Sequence, residues 1–159
     1  MNFCRNHGLI IFLATFFSMG MRLGVLAQEP ANRCPSWGVP IHVHVKGLRN
    51  AQGTVKASLY GPDPDTFLVK GKKADKEREP AQEGSMVLCV AAREKGPYAV
   101  VVYHDENDNH KFDRNWVGFP VEGYGVSNDP ETFLAPPSFE EAAFDVTEDL
   151  TIVDVHMHY

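Results

Sequence analysis

The sequence predicts an all-β protein, an antiparallel β-sandwich of about seven short strands with one long ordered loop. Three observations predict it. Apolar and polar residues alternate with period two in several short runs, turn signals rich in Gly and Pro separate those runs, and no stretch carries a strong helical period.

The first alternating run places Ile41, Val43 and Val45 on one face and His42, His44 and Lys46 on the other. Residues 47–53 read as a turn. Thr54 to Tyr60 alternates again, with Val55, Ala57 and Leu59 together, and Gly61-Pro62-Asp63-Pro64 stops it. Residues 70–84 carry both signs of charge, from Lys70, Lys72 and Lys73 to Asp75, Lys76, Glu77, Arg78 and Glu79. That mixture reads as a solvated edge strand or loop rather than a site. Ser85 to Ala91 is a buried strand, Gly96-Pro97 a turn, and Tyr98 to Tyr103 the most apolar and central strand. From His104 to about Ser138 no regular structure is assigned. A loop that long is usually functional or disordered. Phe112, Trp116, Phe119, Tyr124 and Phe133 argue for order. Ser138 is placed to cap a short helix, with Glu141 three positions on. Ala142 to Val146 and Thr151 to Tyr159 close the fold, the latter with Val153, Val155, Met157 and Tyr159 opposite Asp154, His156 and His158. There is no internal repeat. The architecture expected is immunoglobulin- or prealbumin-like.

The first 27 residues have the order of a secretory signal peptide. Arg5 and His7 precede the apolar run Leu9 to Phe17, and Val25-Leu26-Ala27 offers small residues for cleavage; only Arg22 sits late. The run is short of the ~20 residues that span a bilayer. Cleavage after Ala27 is expected, leaving a leader over 28–38 and the sandwich domain over 39–159; the alternative is an uncleaved anchor. The protein is then exported, periplasmic or secreted, and not an integral membrane protein. Cys34 and Cys89 remain, and an oxidising compartment makes them a disulfide candidate. The alternative is a buried free thiol at Cys89. The formal net charge is −6, and losing Arg5 and Arg22 makes it more negative. That balance argues against nucleic acid or an anionic membrane surface as partner and suits cation binding.

The chemistry concentrates in the run His104 to Asp113. Counted from Asp105, oxygen-bearing side chains fall at positions 1, 3, 5 and 9, namely Asp105, Asn107, Asn109 and Asp113, with the Lys111 carbonyl at position 7. Calcium takes six to eight oxygens at ~2.3–2.6 Å, and alternate residues of a tightly curled loop can turn their oxygens to one centre. Phe112 is then free to anchor the loop in the core. His110 stands where such loops have Gly, and Trp116 where a helix-loop-helix site has its bidentate Glu. Glu122 or Asp108 is the candidate for the missing carboxylate. The competing reading is an Asx-rich turn that caps its own backbone.

Three blocks carry a family resemblance: the run YHDENDNHKFD from Tyr103, then residues 118–128 (GFPVEGYGVSN), then residues 136–144 (PPSFEEAAF). With the opening strand and its Gly47-Leu48-Arg49-Asn50 and Gly53, they resemble the bacterial exported domain-of-unknown-function family two-one-four-one over roughly residues 40–159. The chain departs from that pattern at His110, usually Gly, and at Val126, usually Phe. The resemblance implies an exported β-sandwich and no particular reaction.

Other constellations compete. His104 and Asp105 with Ser127 or Glu122 suggest a hydrolase, though no nucleophile elbow surrounds Ser127. His42 and His44 share a strand face, as do His156 and His158; were those strands paired, four imidazoles would suit zinc, copper or nickel, making a transition-metal carrier. The leading expectation is a non-enzymatic, calcium-binding envelope module. Its loop would present His104, Trp116, Tyr124 and Ser127 to a small ligand or an envelope protein.

Overall fold

The computed structural model describes residues 34–131, 135–147 and 149–159. The expected signal peptide, the first part of the leader and Phe133 lie outside the described residues. Eight strands form: β1 (Val39–Leu48), β2 (Thr54–Tyr60), β3 (Asp75–Pro80), β4 (Gly84–Ala92), β5 (Gly96–Asp105), β6 (Gly123–Val126), β7 (Phe144–Val146) and β8 (Thr151–His156). A single-turn helix, α1 (Phe139–Ala142), follows Ser138, whose side chain and that of Glu141 make the expected capping box.

The strands make two packed sheets, β4-β1-β8 and β3-β2-β5-β6, with β7 pairing the start of β5. Pairing is antiparallel except between β1 and β8, which run parallel with Val43 opposite Val153. A parallel pair needs a long crossover; here the intervening strands and loops supply it.

Period-two alternation builds the core. Ile41, Val43 and Val45 of β1 meet Val55, Ala57 and Leu59 of β2, Val100 and Val102 of β5, and Val155 of β8, all fully buried. Each valine, leucine and isoleucine side chain among them contributes about 1.5–3 kcal/mol on burial. A smaller cluster under α1, of Ala99, Val126, Phe139 and Ala142, covers one end of the larger sheet's outer face.

The charged run is an edge strand after all, and its charges are placed. Asp75 and Glu77 of β3 reach across to β4 and accept its edge amides, Ala91 at 2.8 Å and Cys89. They stitch together the open edges of the two sheets, where unpaired amides would otherwise invite another strand. The expected bridge between Cys34 and Cys89 is present and ties the leader to β4. Among the described residues no helix is long and apolar enough to cross a membrane.

Candidate functional site

Strand β5 ends at His104 and Asp105, and the loop that follows folds back on the Asp105 carboxylate. Asp105 is fully buried. Its Oδ1 accepts the amide of Asn109 at 3.0 Å, and its Oδ2 accepts the amide of His110 at 2.8 Å. Asn107 Oδ1 accepts the Asn109 amide at 3.0 Å, and Asn109 Oδ1 accepts the Lys111 amide at 2.7 Å. The alternate oxygens therefore curl the chain by accepting its own amides, the arrangement of an Asx-rich turn. His110 adopts φ 64°, and Asp108 φ 56°. The left-handed turn is made without glycine; His and Asp are among the residues that enter that region more readily than most.

Asp113 closes the ring. The side-chain amides of Asn107 and Asn109 both donate to its Oδ2, at 2.8 and 2.7 Å. Its backbone amide donates to Glu122 Oε2 at 2.9 Å. Glu122 is only 4% exposed, and its Oε1 has no hydrogen-bond partner. Burial raises the Glu122 carboxyl above its ordinary range; the amides of Asp113 and, more weakly, Glu106 work against this, and the charges of Asp105 and Asp113 reinforce it.

The cation that faces Asp105 comes from β3. Arg78 Nη1 donates to Asp105 Oδ2 at 2.8 Å and to Thr54 Oγ1 at 2.6 Å, and Nη2 donates to the Tyr103 hydroxyl at 2.7 Å. Burial works to raise the Asp105 carboxyl, but Arg78 and the amides of His110 and Asn109 outweigh it and hold it below the usual range. The spacing of the loop residues does not point to Arg78. The only trace it leaves in the sequence is the alternating sign of residues 75–79.

Phe112 anchors the loop, though not in the core between the sheets. It packs on the outer face of the larger sheet, with its ring centroid 6.0 Å from that of Tyr103 and 6.2 Å from that of Tyr124. Beyond it, residues 114–120 form a small hairpin closed by Arg114 and Pro120, with Trp116 95% exposed near its tip.

The other expected site residues are dispersed. His104 is fully buried with both ring nitrogens engaged, Nδ1 with the Tyr159 hydroxyl at 2.8 Å and Nε2 with the Gln52 carbonyl at 2.7 Å. A carbonyl only accepts, so Nε2 donates to it. Ser127 Oγ donates to the Ala142 carbonyl at 2.5 Å and accepts the Val100 amide at 3.0 Å. His104 lies opposite Gly123 and Ser127 beside Val100, so four residues of strand, about 13 Å, separate them. The structure does not bring the two together as a hydrolase would need.

The first and last strands do pair, but the four imidazoles do not converge. His42 Nε2 lies 3.2 Å from Cys34 Sγ, His44 Nδ1 3.6 Å from Asp154, and His158 Nε2 2.6 Å from Asp129. His156 stands opposite Lys46. Among the described residues the groups with metal-ligand spacing are Asp105, Asp108 and His110, and Cys34, His42 and Cys89.

Fold and loop together define a small β-sandwich in which an inner strand, β5, ends in a carboxylate-lined turn. The chain belongs to the family DUF2141, described as uncharacterized proteins conserved in bacteria, which it matches over residues 43–154. No curated protein and no solved structure matches it.

Proposed function

We propose that the protein is an exported, non-enzymatic β-sandwich module that binds calcium in the loop 105–113. One observation carries the reading: the buried Glu122 Oε1 without a partner, beside Asp113 and in the field of Asp105. A buried carboxylate oxygen among like charges is costly unless a cation completes it. Arg78 serves Asp105 and leaves Asp113 and Glu122 without a cation within ion-pair distance, among the described residues.

A hard divalent ion fits the donor set, which is all oxygen. Asp113 and Glu122 would supply carboxylates, Lys111 its carbonyl, and Asn107 and Asn109 their carbonyl oxygens after a half-turn of each carboxamide, while Asp105, held by Arg78 and two amides, shapes the loop behind them. The ion would hold Asp113 to Glu122 and so order the hairpin between them. That hairpin presents Trp116 to a small ligand or an envelope protein. A non-enzymatic role is supported by His104 and Ser127, whose polar atoms are all spent on the fold.

Calorimetric titration with calcium, and separately with magnesium, tests the reading. The expected result is saturable calcium binding, with magnesium weaker, and at least about tenfold loss of calcium affinity in Glu122→Gln, the scale of one charge-assisted contact. No calcium binding by the wild type would end it.

A further inference from the structure

Strand β3 reads Asp75-Lys76-Glu77-Arg78-Glu79, and its charges alternate in sign with the period of the pleat. A run that is nearly neutral in sequence is therefore separated by sign in space. The acidic side faces β4, where Asp75 and Glu77 hold edge amides. The basic side joins the outer face of the larger sheet. There the register sets Arg78 beside Lys56, Lys56 beside Tyr103, and Lys76 beside Ser58. Lys73 arrives from the preceding loop, with its ammonium 5.8 Å from the Tyr60 ring centroid, while that of Lys56 lies 5.6 Å from the Tyr103 ring centroid.

Arg78 is committed to Asp105. Lys56, Lys73 and Lys76 are not: among the described residues none of the three is within ion-pair distance of a carboxylate. This is unexpected in a chain of net charge −6, which has acidic groups to spare. Burial, and then the neighbouring cations, hold the Lys56 and Lys73 ammonium groups below their ordinary value. Three neighbouring like charges, two of them over tyrosine rings, are an arrangement that an incoming anion relieves.

We propose that Lys56, Lys73 and Lys76, beside Tyr60 and Tyr103, form a binding site for a small ligand that carries carboxylate or phosphate groups. The ammonium groups are point donors that suit either anion. Tyr103 gives the ligand's ring or chain an apolar surface beside them. The site lies on the sheet face beside the loop 105–113, whose Phe112 packs on Tyr103, but it does not use the ion.

The test follows backbone amide shifts of the protein in chelator at low salt, titrated once with pyrophosphate and once with a short oligogalacturonate. The expected result is a saturable shift in β2, β3 and the middle of β5 with at least one probe, weakening as salt rises. The probe that binds identifies the anion's source. Lys56→Gln/Lys73→Gln should bind more weakly by about tenfold per lysine removed. It should melt no lower than wild type without ligand, because it relieves repulsion. Lys76→Gln, at an exposed position, gives the same reading if the double variant folds poorly. No saturable shift with either probe, or variants that bind as tightly as wild type, would overturn the proposal.

Discussion

Glu122 Oε2 accepts the Asp113 amide at 2.9 Å, while Oε1 of the same buried carboxylate has no partner. Among the described residues no cation lies within ion-pair distance of either carboxylate.

Glu122→Gln should therefore act with opposite sign in two conditions. Without calcium it removes a buried charge near Asp105 and Asp113, and stability should stay level or rise by about 1 kcal/mol. With calcium it should lose the ion's contribution and fall below wild type. Chemical denaturation in calcium and in chelator measures both.

The same group sets a pH dependence. Burial raises the folded-state carboxyl of Glu122 above its unfolded value. The folded state then holds the proton more tightly, so calcium-free stability should decline as pH rises from the ordinary glutamate range through the folded value. Asp105 and Glu106 are held low and act in reverse, with stability lost as pH falls below the ordinary carboxylate range. Denaturation midpoints across pH should show the Glu122 decline in chelator. They should lose it in Glu122→Gln and in calcium.

Arg78 faces a carboxylate that is fully buried. Arg78→Gln leaves Asp105 without its cation and should cost about 3 kcal/mol, the scale of breaking a buried pair from one side. Urea unfolding measures it. The calcium-dependent gain should be larger in this variant, since the ion then has Asp105 to neutralise as well.

The bridge from Cys34 to Cys89 spans 55 residues. Chain entropy for a loop of that size predicts a loss of at most about 4 kcal/mol in Cys34→Ala/Cys89→Ala. Unfolding of the double variant beside the oxidised wild type checks it.

Much of this fold is legible in the sequence because hydrophobic alternation is a direct image of the pleat. Val43 and Val45, Val55 and Leu59, and Val153 and Val155 all lie buried where that alternation places them. What was not legible depends on other physics. Strand β3 alternates in sign rather than in hydropathy, so its order looks like noise. Strand β6 has four residues, two of them glycines whose reason is tertiary. A Cβ on Gly125 would sit 2.4 Å from the His156 carbonyl oxygen, and one on Gly123 would meet the Tyr159 ring. The direction of β8 against β1 rests on the path of the whole chain.

The site divides in the same way. The spacing of Asp105, Asn107, Asn109 and Asp113 is local and could be read. Glu122 could be read as a nearby carboxylate, but its burial could not. Arg78 reaches Asp105 from another strand, 27 residues away in sequence. The separation of His104 from Ser127 is a matter of register, which no motif records.

The measurement that tests the calcium site most directly is thermal unfolding in excess calcium and in chelator, with Asp113→Ala/Glu122→Gln beside the wild type. An ion at ~100 times its dissociation constant stabilises by about 2.7 kcal/mol, several degrees for a domain of this size. The wild type should show that rise in calcium and the double variant should not. A wild type that melts at the same temperature in both would contradict a calcium site in the loop 105–113.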